Sequence, residues 1–208
     1  MAFSTGSLGE HMPALSVSID GVTLATVSTD GYDVMSVRTS GTRIDDGLAI
    51  LDLSGGCYPE VGESTYLTWV HDLPLQAGQV VTVTFLEAAS SSHAGKTIEE
   101  LFPDEPLPTQ TDFKPTAEMF TELRAMPVLR EKFSFRLASS SGNDFVGESA
   151  PDEHGFGFTV LWNSSNPERA RASLHSYTLD NLEARGPMNN HVEEKIYYGG
   201  WVQFEVLA

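Results

Sequence analysis

The chain has 208 residues, 40% of them hydrophobic, and 29 acids against 12 lysines and arginines give it a formal net charge of −17. That balance disfavours nucleic acid and anionic membrane, both of which are bound through clustered cations. A single cysteine, Cys57, excludes an internal disulfide framework and suits a reducing, cytoplasmic compartment; no secretory signal and no apolar run of spanning length is read.

Residues 1–11 read as a flexible leader or tag remnant, and the first β unit is expected over 12–87. Leu15–Ile19 alternates apolar and polar residues as a half-buried strand does, Asp20-Gly21 is a hairpin turn, and Val22–Val27 returns. Asp30-Gly31 turns into a strand over Tyr32–Arg38, Ser40–Arg43 is a loop, and Gly47–Leu53 is the next strand. The glycine-rich Ser54–Pro59 reads as a turn, and Tyr66–Val70 and Gln79–Leu86 complete the unit.

The connector, 88–132, differs in kind. Thr97 and Glu100 have capping-box spacing and open a short helix to Phe102; Pro103, Pro106, Pro108 and Pro115 then mark an extended spacer. A second helix runs from Thr116 to Met126, with Met119, Phe120, Leu123 and Met126 on one face, which predicts docking on the sheets. The second β unit, 133–208, begins with the alternation Phe133–Leu137, turns at Ser140–Asp144 and continues through Phe145–Ser149. Its later strands are expected at Gly155–Asn163, Ala170–Leu179 and Trp201–Leu207, with His191–Glu194 in a loop.

The two units read as copies of one another. Gly31–Val37 matches Gly155–Leu161 at a shift of 124 residues, and Leu75–Gly78 and Val81–Phe85 match Ile196–Gly199 and Val202–Val206 at 121. Setting Leu15 on Phe133 gives 118 at the start. Six short strands are few for independent stability, so the expected fold is all-β, with both copies packed as one pseudo-two-fold, sandwich-like body.

Surface divergence between copies marks candidate sites. At a shift of 124, Gly47, Ala49, Leu51 and Leu53 become Arg171, Ser173, His175 and Tyr177, and Arg38 becomes Trp162. With His154 and His191, the polar set Trp162, Arg171, His175 and Tyr177 forms a candidate ligand or partner surface. His191 and Glu193, which stand before the last strand as His71-Asp72 does in the first copy, could with Asp45, Asp46 or other acids hold a divalent metal, but two donors do not make a site, and no metal or cofactor is assigned. Asn163-Ser164-Ser165 matches a glycosylation acceptor that carries no meaning without secretion.

No catalytic signature of the common enzyme classes is present. Charge concentrates in the first copy, where 12–87 holds 10 acids and only Arg38 and Arg43 as cations. The expectation is a soluble acidic protein-binding module, an inhibitor or immunity-like protein for a basic partner, with Asp30, Asp33, Asp45 and Asp46 as its contact acids. The alternatives are a small-ligand binder or enzyme on the second copy, and an assembly protein using free sheet edges. The oligomeric state is left open.

Overall fold

The computed structural model describes residues 12–105 and 116–207; the expected leader and the Pro106, Pro108 and Pro115 part of the spacer lie outside the described residues. The first half supplies β1 (Ala14–Ile19), β2 (Val22–Ser28), β3 (Val34–Thr42), β4 (Ala49–Cys57), β5 (Thr65–Leu75) and β6 (Val80–Leu86). Helices α1 (Ile98–Leu101) and α2 (Thr116–Ala125) follow. The second half supplies β7 (Ser134–Ser139), β8 (Asp144–Glu148), β9 (Gly155–Asn163), β10 (Arg169–Tyr177), helix α3 (Leu179–Glu183), β11 (Asn189–Tyr197) and β12 (Trp201–Leu207).

These strands form two six-stranded antiparallel sheets, ordered β2-β1-β6-β12-β7-β8 and β11-β10-β9-β3-β4-β5. If β7–β12 are matched to β1–β6, each order reads the same from either end, with β6–β12 and β3–β9 at the middle. The inner faces pack together: Phe158 of β9 stacks on Phe204 of β12 at 4.5 Å, and Phe135 of β7 meets Phe156 of β9 edge-on at 4.9 Å. No helix among the described residues is long and apolar enough to cross a membrane.

The ladders correct the register of the repeat. A shift of 124 would set buried Val37 on half-exposed Leu161, on the wrong face of the sheet. Instead Arg38 pairs with Asp52 across β3–β4 as Thr159 pairs with Ser173 across β9–β10, each residue 121 on from its counterpart. The same shift carries buried Met35, Val37, Leu51 and Leu53 onto buried Phe156, Phe158, Ala172 and Leu174. At the start, Leu15 pairs with Phe85 as Phe135 pairs with Val206, so Leu15 corresponds to Phe135, a shift of 120 rather than 118.

Other boundaries moved for local reasons. Ser54-Gly55-Gly56-Cys57 continues β4 instead of turning, because the Met35 and Tyr58 side chains lie over Gly55 and Gly56 and need their missing Cβ atoms. Strand β5 runs on past Val70 through a bulge at which His71 and Asp72 both face Asp52, Asp72 having φ 44°. The expected loop at His191–Glu194 is instead part of β11, a charged edge strand without apolar alternation. The expected capping box of α1 is formed. Helix α2 does not lay its stripe on a sheet: only Phe120 is buried, Met119 and Met126 are exposed, and the helix contacts α3, where Arg124 meets Asp180 and Glu183.

The connector also protects the first half's edges. Ser91 and Ser92 accept the Ser28 and Thr26 amides of β2, and Lys96 exchanges backbone hydrogen bonds with Thr68 of β5 at 2.9 Å. The Trp69 indole N–H donates to the His93 carbonyl between them. This strap closes one open side of the sandwich.

Candidate functional site

The residues singled out on the second copy do not form one surface. Trp162 points into the core, 1% exposed, and its indole N–H donates to the Pro167 carbonyl, pinning the β9–β10 loop. Arg171, His175 and Tyr177 do share the outer face of β10, with Arg171 near Glu193 at 3.9 Å. Arg171 and His175 are four residues apart, about 13 Å along a strand. His175 lies flat over Gly157 and Tyr177 over Gly155, where an added Cβ would come within 2.8 and 2.6 Å of them. Burial, with the Arg38 and His191 charges second, pushes the His175 pKa down; burial pushes that of Tyr177 up.

His154 is nearly buried beside Tyr177, and its pKa is lowered by burial and then by Arg43. His191 fills the β11 bulge and turns inward against Phe135 and Phe145, with Nε2 2.7 Å from the Ser176 hydroxyl; burial lowers its pKa too. It acts as a packed core-edge histidine.

The four contact acids also separate. Asp30 and Asp33 precede β3, while Asp45 and Asp46 follow it, so the nine-residue strand parts them by about 30 Å. The Asp33 carboxylate accepts the Tyr58 amide and its carbonyl accepts the Ser164 amide at 2.8 Å. Asp45 accepts the Thr42 hydroxyl at 2.7 Å. Arg130 donates to the backbone carbonyls of Asp45, Asp46, Gly47 and Leu48, leaving the two carboxylates exposed.

A denser acidic site lies on the outer face of the first half. There α1 and β5 flank a groove of about 350 Å³ lined by Ser36, Arg38, Asp52, Tyr66, His71, Ile98 and Leu101 among others. The β5 bulge builds its head: His71 Nδ1 is 3.4 Å from Asp52, Nε2 is 3.5 Å from Asp72, and the Asp72 amide donates to Asp52 at 3.0 Å. Phe102, just past α1, meets the His71 ring edge-on at 5.3 Å. Three donors lie within 4.8 Å of one another. However, the two imidazole nitrogens face different carboxylates, so the ring offers only one of them to any single ion. Strand β4, β5 and their turn carry Asp52, Glu60, Glu63 and Asp72 with no lysine or arginine, and α1 with its following turn adds Glu99, Glu100, Asp104 and Glu105.

The sequence shows His71-Asp72 side by side but gives no sign of their partner Asp52, because the bulge in the β4–β5 pairing brings the three together. Neither a protein-family model, a curated protein nor a solved structure matches this chain.

Proposed function

We propose that the protein is a soluble, cytoplasmic binding module for a basic protein, of the inhibitor or immunity-like kind, and that it docks through the acid-rich outer face of its first half. The observation that carries this reading is the uneven use of charge. Several cations elsewhere are engaged within the molecule: Arg43 and Arg130 with backbone carbonyls, and Arg124, Lys132 and Arg136 in ion pairs. Strands β4 and β5 with their turn and α1 with its following turn instead carry eight acids, those named above, with Lys96 and, opposite Asp52 on β3, Arg38 as nearby cations. Such a field speeds association with a basic protein and weakens with salt.

The test is to recover the protein's direct binder from its own host, purify both, and measure association rates at several salt concentrations. The reading expects a basic partner whose association rate falls by tenfold or more between roughly 50 and 500 mM salt, as steered encounters do. A tight complex whose formation ignores ionic strength contradicts it.

A further inference from the structure

We propose that the outer face of β10 and β11, on the second half, binds the phosphate group of a small phosphorylated molecule. The site lies away from the proposed docking face and stands whether or not a basic partner docks there. Three of the chain's 12 lysines and arginines, Arg169, Arg171 and Lys195, line one open cavity of about 340 Å³ in a molecule of net charge −17. Arg169 and Arg171 are two apart on β10, so they share a face at a spacing of about 7 Å. Lys195 of β11 pairs directly with Arg171 in the ladder. Like charges set opposite one another destabilise a sheet, and little inside the molecule offsets this pair. Glu193 is the one acid lining the cavity, and it meets Arg171 only at 3.9 Å with both side chains more than half exposed, a weak pair. Glu194 turns to the opposite face, where it accepts the Ser139 and Ser141 hydroxyls, and Lys195 has no ion pair among the described residues.

The β9–β10 loop adds a donor to the cations. Asn166 accepts Arg169 Nη2 on its amide oxygen at 2.9 Å, and its own amide nitrogen donates to the Asn163 amide oxygen at 3.4 Å. Both amide oxygens are thus used internally, and the Asn163 amino group is left to donate outward. The loop is held in place, because the Pro167 carbonyl accepts the Trp162 indole at 3.0 Å and the Tyr198 hydroxyl at 3.1 Å. Three cations and an amide donor around one cavity call for an anion rich in acceptors. A carboxylate offers two coplanar oxygens, which one guanidinium fork satisfies. A phosphate offers three oxygens and nearly two charges, which suits three cations at separate positions. The cavity is also roomier than a bare ion needs and falls in the range of small-molecule sites, so a compact phosphate ester fits it.

The experiment titrates glycerol phosphate into the isotope-labelled full chain at constant ionic strength and follows the amide shifts by NMR. Saturable shifts are expected at Asn163, Asn166, Arg169, Arg171 and Lys195. Arg171→Gln and Lys195→Gln are each expected to weaken binding about tenfold, the loss of one charge-assisted contact. Neither should lower the urea midpoint, because each ends the like-charge opposition, so a lost response is not lost folding. Arg136→Gln makes the same charge change on the other sheet and is expected to cost about twofold or less. Equal losses in all three variants, or shifts that spread over the surface without saturating, overturn the site. Acetate bound as tightly as glycerol phosphate overturns the choice of phosphate. A phosphoserine peptide bound at least tenfold more tightly than glycerol phosphate assigns the cavity to a phosphoprotein and overturns the small-molecule proposal.

Discussion

Three histidines, His154, His175 and His191, are held with pKa values below the ordinary 6.5, each chiefly because burial disfavours the charged ring. The folded state thus binds protons less readily than the unfolded chain at these positions. The stability they contribute is complete above pH roughly 6.5 and is lost as the pH falls through their folded values. Urea midpoints should therefore drop between pH 7 and pH 5, and His191→Gln, which keeps a partner for Ser176, should flatten that drop. A midpoint unchanged over this range would contradict the burial described for all three rings. At this scale the sequence misled where orientation mattered. Trp162 and His191 look like surface candidates by composition, yet the true face of each depends on a register and a bulge that residue types do not reveal. His175 and Tyr177 were placed on one face correctly, because they stand two apart on a regular stretch of β10.

Strand pairs show how one frame holds two different cores. At matched positions β3 offers Met35 and Val37 where β9 offers Phe156 and Phe158, and the smaller inner residues are balanced by Leu51 on β4, where β10 has Ala172. Volume has moved between neighbouring strands while the fill of each half is kept. Copying the second half's solution into the first makes this measurable by urea denaturation. Val37→Phe alone should cost about 1–3 kcal/mol by overpacking. Leu51→Ala alone should cost about 2–5 kcal/mol through the cavity it leaves. Together they should cost less than their sum by about 1 kcal/mol, since the new ring and the new space are diagonal neighbours on one face. Strict additivity would contradict the matched register. The alternating strands β1, β2, β6 and β12 were legible within about a residue because their inner and outer faces differ sharply. Strand β11 and the far half of β5 were not, since edge position, a bulge and Pro74 remove that contrast.

The molecule as a whole joins a symmetric frame to an asymmetric surface. Both strand orders read the same from either end, with β3–β9 and β6–β12 at the middle, and the all-β body was legible in the alternating patterns even though the matched register was three residues out in β3 and β4. The strap and α1, from the connector, cover the edges of the first half, which holds 10 acids against 2 lysines and arginines where the second half holds 10 against 5, and the proposed docking face lies on that first half. The acidity was plain from the composition, but its focus was not, because Asp30, Asp33, Asp45 and Asp46 are close in sequence and divided in space by β3. The most direct test is to titrate hexa-arginine peptide into isotope-labelled protein and map the perturbed amides by NMR. The account predicts shifts concentrated at Asp52, Thr68, His71, Asp72 and Ile98, with β8 and β11 unaffected. Perturbations spread evenly over the surface, or centred on Arg171 and His175, would contradict it.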